Sequence, residues 1–208
     1  PFHDMTRRGL GAALLRRPER IRAIVAAMVA AVRSIPVTVK IRLGWSEDDR
    51  NFQETARAAV DGGAAAVFVH GRTRNARYRH AADWDAIGEL VASLPVPVVG
   101  NGDILDPEDI ARFRARSGCR SVMIARGALI KPWIFQEARE GDQDPSAEER
   151  LAIYARYVSL AREHWCAGWK AETCIAEFVR WHLEFWQRYV PHRPGEPRPK
   201  MQVRESAF

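Results

Sequence analysis

Gly9-Leu10-Gly11-Ala12-Ala13-Leu14-Leu15 is the stretch on which the reading of the fold turns. Two glycines followed by small and apolar residues predict a loop running into a helix. In a chain that alternates strands and helices such a loop follows a strand, so a strand is expected upstream of Pro1. Downstream, four short β-branched runs recur: Val37-Thr38-Val39-Lys40-Ile41, Ala65-Ala66-Val67-Phe68-Val69, Val96-Pro97-Val98-Val99-Gly100 and Ser121-Val122-Met123-Ile124. Residues 18–33 open with Pro18 and place Ile21, Ile24, Val25, Met28, Val29 and Val32 at helical spacing. Residues 51–61 run to Gly62-Gly63, and residues 107–116 start from Asp106 as cap and Pro107 at the first helical position. Units of roughly 25–30 residues predict a parallel sheet with helices outside it. Four units would suit an open sheet. A closed barrel of about 250 residues has eight, and the upstream strand favours half of one. The expected fold is α/β: the C-terminal half of a (β/α)8 TIM barrel, strands five to eight, over residues 1–140.

After residue 140 the pattern changes. Gly141-Asp142-Gln143-Asp144-Pro145 reads as a linker, and Ser146 with Glu149 fits a capping box. Leu151, Tyr154, Val158, Ala161 and Trp165 form one apolar stripe. Ile175, Phe178, His182, Phe185 and Tyr189 form a second, ending before Pro191. Two such helices should pair, so 141–190 is expected to be part of a helical bundle, with 191–208 a flexible, Pro- and Arg-rich tail.

The chain of 208 residues, 47% hydrophobic and 28% charged, has the composition of a soluble globular protein. No apolar run approaches the ~18 residues that span a bilayer, so no membrane partner is expected. Without an initiator Met or a basic-then-apolar leader, secretion has no support. Three cysteines (Cys119, Cys166, Cys174) make an odd number inside expected secondary structure. That argues against a disulfide framework and for a reducing compartment, the cytoplasm or the nucleus. Thirty-two basic against 26 acidic residues give a net charge of +6, which suits a polyanionic partner.

Alternation along the first run places Val37, Val39, Ile41 and Leu43 on one face and Thr38, Lys40 and Arg42 on the other. With the apolar set against the helices, Lys40 points into the barrel, where an ammonium needs an anion, a ligand or a carboxylate plug. His70 ends the second run, at the face where such barrels carry their active sites. His80 and Asp83 follow at no metal-ligand spacing, and no metal is expected. The third run ends in Gly100-Asn101-Gly102-Asp103 and the fourth in Ala125-Arg126-Gly127-Ala128. Glycine turns after the last two strands of a β/α barrel offer backbone N–H groups to a phosphate, and Arg126 adds a guanidinium. Between His70 and Trp84 lie Arg72, Arg74, Arg77 and Arg79 with Tyr78, a loop suited to gripping phosphates and stacking a base, or simply to being solvated.

Four motifs in order, Pro36–Gly44 (PVTVKIRLG), Val69–Thr73 (VHGRT), Val98–Ile104 (VVGNGDI) and Met123–Leu129 (MIARGAL), resemble those of the tRNA-dihydrouridine synthases. Ile130–Phe135 (IKPWIF) and the segment Gly9–Leu15 continue the resemblance, which covers residues 1 to about 190. The Ala-Arg-Gly-Ala-Leu and Lys-Pro-Trp patterns, with Glu163-His164-Trp165, resemble the eukaryotic branch that modifies the tRNA variable loop. The resemblance implies FMN as cofactor, NADPH as electron donor and tRNA as partner. The reaction is reduction of uridine to 5,6-dihydrouridine, by a protein expected to be monomeric. It further implies Lys40 and His70 at the flavin ring and Asn101, Gly102, Asp103, Ala125 and Arg126 at the ribityl phosphate. Arg72, Arg74, Arg77 and Arg79 become candidate tRNA contacts, and the helical part a partial tRNA-binding domain.

The family's proton-donating cysteine precedes the proline matching Pro1, and none of Cys119, Cys166 or Cys174 matches it, so no catalytic residue is assigned within the sequence. The 208 residues alone are expected to be inactive and to bind FMN poorly. Three other readings stay open: another FMN barrel reducing a small molecule, a non-catalytic RNA-binding remnant, and a flavin-free phosphate-binding barrel such as an isomerase.

Overall fold

The computed structural model describes residues 3–165 and 168–191. Cys166 and the tail from residue 192 lie outside the described residues, so the expectations for them are left there. The chain forms two compact units, one running to Ala125 and the other beginning at Arg126.

In the first unit α1 (His3–Arg7) and a 3-10 turn (Gly11–Arg16) lead to α2 (Pro18–Ala31). Then strands and helices alternate: β1 (Thr38–Arg42), α3 (Phe52–Asp61), β2 (Ala66–His70), α4 (Trp84–Ser93), β3 (Val98–Asn101), α5 (Pro107–Ser117) and β4 (Ser121–Met123). The sheet order is β1-β2-β3-β4, and every pairing is parallel. An α/β fold with a parallel sheet and flanking helices is therefore present. Strands β1, β2 and β3 begin one or two residues later than the β-branched runs suggest, and β4 begins with its run at Ser121. At β3 the reason is Pro97, which has no N–H and serves the sheet only as acceptor for Val67 N at 3.0 Å. Helix α4 belongs to none of the individual helices read from the sequence. It is started by Asp83, whose Oδ1 accepts from Ala86 N at 3.0 Å. At α5 the expected cap is observed as a capping box between Asp106 and Asp109.

Register decides which residues share a face. Lys40 stands beside Phe68 and Phe68 beside Val99, while Arg42, His70, Asn101 and Met123 form the next row. On the opposite face Val67 and Val69 are fully buried under helices with Ile41, Ile87, Leu90 and Phe113. Gly100 lets Phe113 approach the sheet closely: a Cβ there would collide with the ring of Phe113. Cys119 is buried on this helix-covered side, its sulfur 3.3 Å from where that Cβ would stand.

The second unit holds α6 (Arg126–Ile130), α7 (Ile134–Glu140), α8 (Ala147–Trp165) and α9 (Trp169–Trp186). The division therefore falls at residue 125, ahead of the Gly141–Pro145 linker, because the α6–α7 segment packs with α9. Trp133 meets Trp186 edge-on at 5.8 Å and Tyr189 at 4.9 Å. The predicted capping box is formed: Ser146 N donates to Glu149 Oε2 at 2.7 Å, and Glu149 N to Ser146 Oγ at 3.2 Å. The α8 stripe needs correction at both ends, since Leu151 and Trp165 are exposed. Tyr157 joins the inner face instead, stacked on Phe178 at 4.6 Å. On α9, Ile175, His182 and Phe185 are buried as the spacing predicts. Among the described residues no helix is long and apolar enough to cross a membrane.

Candidate active site

Lys40, His70 and Asn101 stand at or near the C-terminal ends of three adjacent strands and on one face, opposite to the apolar core. Lys40 Nζ donates to Asn101 Oδ1 at 3.2 Å, and Asn101 Nδ2 donates to Met123 O at 2.8 Å. The amide is thereby fixed, oxygen towards the lysine. Lys40 has no carboxylate within ion-pairing distance among the described residues. Burial, and then the neighbouring Arg42, hold its ammonium below the ordinary lysine value. Arg42 donates to Thr73 O at 3.0 Å and is itself depressed, first by burial, with Tyr78 opposing. Among the described residues Lys40 and Arg42 thus bring to this face two cations with no ion-pairing carboxylate, an arrangement suited to an anionic or electron-rich ligand.

His70 is buried, and its Nε2 lies 3.3 Å from Arg72 Nη1. Arg72 departs from the exposed placement expected of a tRNA contact. Its side chain is 4% exposed and its donors are used inside the chain. Nη2 reaches both oxygens of Asp103 at 2.7 and 2.6 Å, and Nε reaches His80 O at 2.6 Å. The reason is the turn after β2, which aims residue 72 back under the loop, where only a carboxylate makes a guanidinium tolerable. Of the other arginines, Arg77 and Arg79 are exposed. Arg74 is half-buried, its guanidinium 4.6 Å over the ring of Trp45, whose ring also carries Arg16 at 4.4 Å.

The turn Asn101-Gly102-Asp103 is built for a close approach. Gly102 has φ +126° and Asp103 φ +57°, two successive residues in the region that favours glycine. Trp84 Nε1 donates to Gly102 O at 3.1 Å, and Ala82 N to Asp103 Oδ2 at 2.7 Å, which hold the turn. Because the Asp103 carboxylate is committed to Arg72, only its backbone is left for a phosphate. Ala125 is exposed at the end of the first unit, and Arg126 opens α6 in the second. Sequence reasoning missed Asp103 as counter-ion of Arg72 and Trp84 as a clamp on the glycine turn, because neither spacing carries a local signal. Among the described residues no cluster of His, Cys, Asp and Glu suits a metal ion.

A parallel α/β unit with a lysine, a histidine and a glycine turn gathered at its strand ends has the arrangement in which β/α barrels carry their active sites. The particular family follows from comparison. Residues 1–175 match the model of the dihydrouridine synthase (Dus) family, and the chain belongs to that family. A Candida albicans protein named tRNA-dihydrouridine(47) synthase [NAD(P)(+)] is 37% identical over 211 residues, covering 92% of this chain and 34% of its own length. A Homo sapiens protein, tRNA-dihydrouridine(47) synthase [NAD(P)(+)]-like, is 39% identical over 193 residues, with coverage of 92% and 29%. The chain thus spans about a third of the length of the curated relatives it matches. A solved mandelate oxidase aligns over 61% of this chain and 45% of its own at 22% identity and a TM-score of 0.33, too low to carry any argument.

Proposed function

We propose that this chain contributes half of the FMN pocket of a tRNA-dihydrouridine synthase that uses NADPH to convert uridine to 5,6-dihydrouridine in tRNA. The relatives' names point to position 47 as the target. The observation that carries the reading is the Lys40 ammonium, held by Asn101 on the same face as His70 and lacking a carboxylate partner among the described residues. FMN, when bound, supplies hydride to the uracil ring after reduction by NADPH. Lys40 binds the electron-rich edge of its ring system and offsets negative charge there. His70 adds a ring contact. The backbone of Asn101, Gly102, Asp103 and Ala125 takes the phosphate.

In this reading the four strands are strands five to eight of a TIM barrel, and the second unit is part of a tRNA-binding helical bundle. Arg77 and Arg79, with Arg74 behind them, meet tRNA phosphates. Cys119, walled off on the helix side of the sheet, is unsuited to donate a proton to substrate, and its thiol is pushed up chiefly by burial. The 208 residues alone are proposed to lack the acid and to be inactive. The test uses unmodified tRNA, NADPH and the intact gene product, with nucleosides read by mass spectrometry. Two hydrogens gained at one uridine, dependent on FMN, is the expected result. A flavin-free product that leaves every uridine unchanged sinks the proposal.

A further inference from the structure

Arg72 is the least exposed arginine of the loop, and its geometry bears on the protonation of a neighbour rather than on any ligand of its own. A guanidinium has five N–H donors, no acceptor, and keeps its charge in proteins. Its Nη1 faces His70 Nε2 at 3.3 Å. That contact is a hydrogen bond only when Nε2 presents a lone pair, which puts the ring proton on Nδ1.

The guanidinium has no freedom to turn away. Both Asp103 oxygens hold Nη2, His80 O holds Nε, and Tyr78 lies over the group at 5.6 Å. The imidazole is confined as well. Its Cδ2 would be 3.3 Å from a Cβ at Gly102, and Tyr78 stands 6.4 Å from its centroid on the loop side. Among the described residues, charged and titratable groups placed at the ring include Arg42 beside it on β1, Arg72 and Tyr78 from the loop, and Asp103 behind Arg72. The Arg72 guanidinium touches Nε2 directly, so a proton on that nitrogen would set two donors face to face.

We propose that Arg72, clamped by Asp103, is a positioning residue that fixes His70 as its neutral, Nδ1-protonated tautomer. The pair Arg72–Asp103 then serves the site from behind and needs no contact with cofactor or tRNA.

The experiment is nitrogen-15 NMR on histidine-labelled chain, with His70 assigned by its loss in His70→Asn. The expected result is an Nδ1–H pattern, with Nε2 unprotonated, persisting from about pH 6 to about pH 8, the range in which an ordinary imidazole titrates. An Nε2–H pattern, or an imidazolium at neutral pH, in the unmutated chain overturns the proposal without any variant. Arg72→Met should release the ring to the Nε2–H form and restore its titration. Where that variant fails to fold, Asp103→Asn, which unclamps Arg72, should show both tautomers in exchange. A merely structural Arg72 would leave the pattern unmoved in every folded variant, which overturns the proposal. The readout contains no flavin, so absence of FMN binding would sink the cofactor reading and leave this one standing.

Discussion

Lys40 and Asn101 are 61 positions apart in the chain, yet the ammonium of one donates to the side-chain carbonyl of the other at 3.2 Å. Two parallel pairings in register, β1 on β2 and β2 on β3, bring them there. The contact is modest as a stabilising interaction, because the lysine is partly desolvated beside Arg42 and has a neutral partner. Its value is positional.

Lys40→Met should therefore separate binding from stability. In the intact gene product, FMN affinity is expected to fall by about ten- to a hundredfold, the worth of one hydrogen bond to a charged group. The melting temperature should stay level or rise, because burial and Arg42 oppose the charged form. Fluorescence titration with FMN and thermal unfolding of the same preparations check both halves. A variant that melts earlier and keeps FMN contradicts the assignment.

Arg77→Ala with Arg79→Ala should leave stability within about 0.5 kcal/mol, as both side chains are exposed. Binding to tRNA should weaken, and the slope of log affinity against log salt should become shallower by about 1 for each lost phosphate contact. Arg72→Met should behave in the opposite way, losing about 1.5–3 kcal/mol because the partly exposed Asp103, still bonded to Ala82 N, gives up its guanidinium. Urea unfolding and filter binding at several salt concentrations distinguish the two arginine classes.

Gly100→Ala forces a Cβ into the ring of Phe113 and should cost about 1–3 kcal/mol by overpacking. Combined with Phe113→Leu, the loss should be smaller than the sum of the two single losses, since the smaller side chain vacates the contested space. A double-mutant cycle in urea measures the difference. Strict additivity would mean the close approach is not what fixes glycine at this position.

Glu137→Gln should cost about 3–5 kcal/mol. Lys131 Nζ lies 2.7 Å from Glu137 Oε2 with both side chains nearly inaccessible (4% and 2%), and the variant takes this carboxylate from a buried ammonium. Replacing both residues, as Lys131→Met with Glu137→Leu, should recover most of that loss. Chemical unfolding followed by the tryptophans Trp133 and Trp186 reports on this unit.

The second unit should also lose stability in mild acid through His182. Burial lowers its imidazole below the usual value of 6.5, while a hydrogen bond with the Leu129 backbone works the other way. As pH falls through the ordinary value, the unfolded chain takes up a proton that the folded one resists, so unfolding is favoured. The urea midpoint should be lower at about pH 5 than at about pH 7.5, and His182→Phe should flatten that difference. An unchanged pH dependence in the variant would show that His182 is not the group responsible.

What the sequence by itself determined is everything carried by a local period. Alternation along Thr38–Arg42 put Lys40 and Arg42 on the face opposite Val39 and Ile41. The 3.6-residue spacing marked α2 and the inner face of α9, and Ser146 with Glu149 marked the start of α8. Such signals survive because each depends on neighbours a few residues away. Only the tertiary structure decided what depends on register between distant segments. Arg72 looked like one of four equivalent loop arginines. It became a buried donor because parallel pairing sets the turn after β2 beside the turn after β3, 31 residues on, where Asp103 waits. The unit boundary moved ahead of the linker for the same kind of reason, as Trp133 finds its aromatic partners on α9, some 50 residues later. No pattern within one element encodes either contact, since each exists only once the elements are in place.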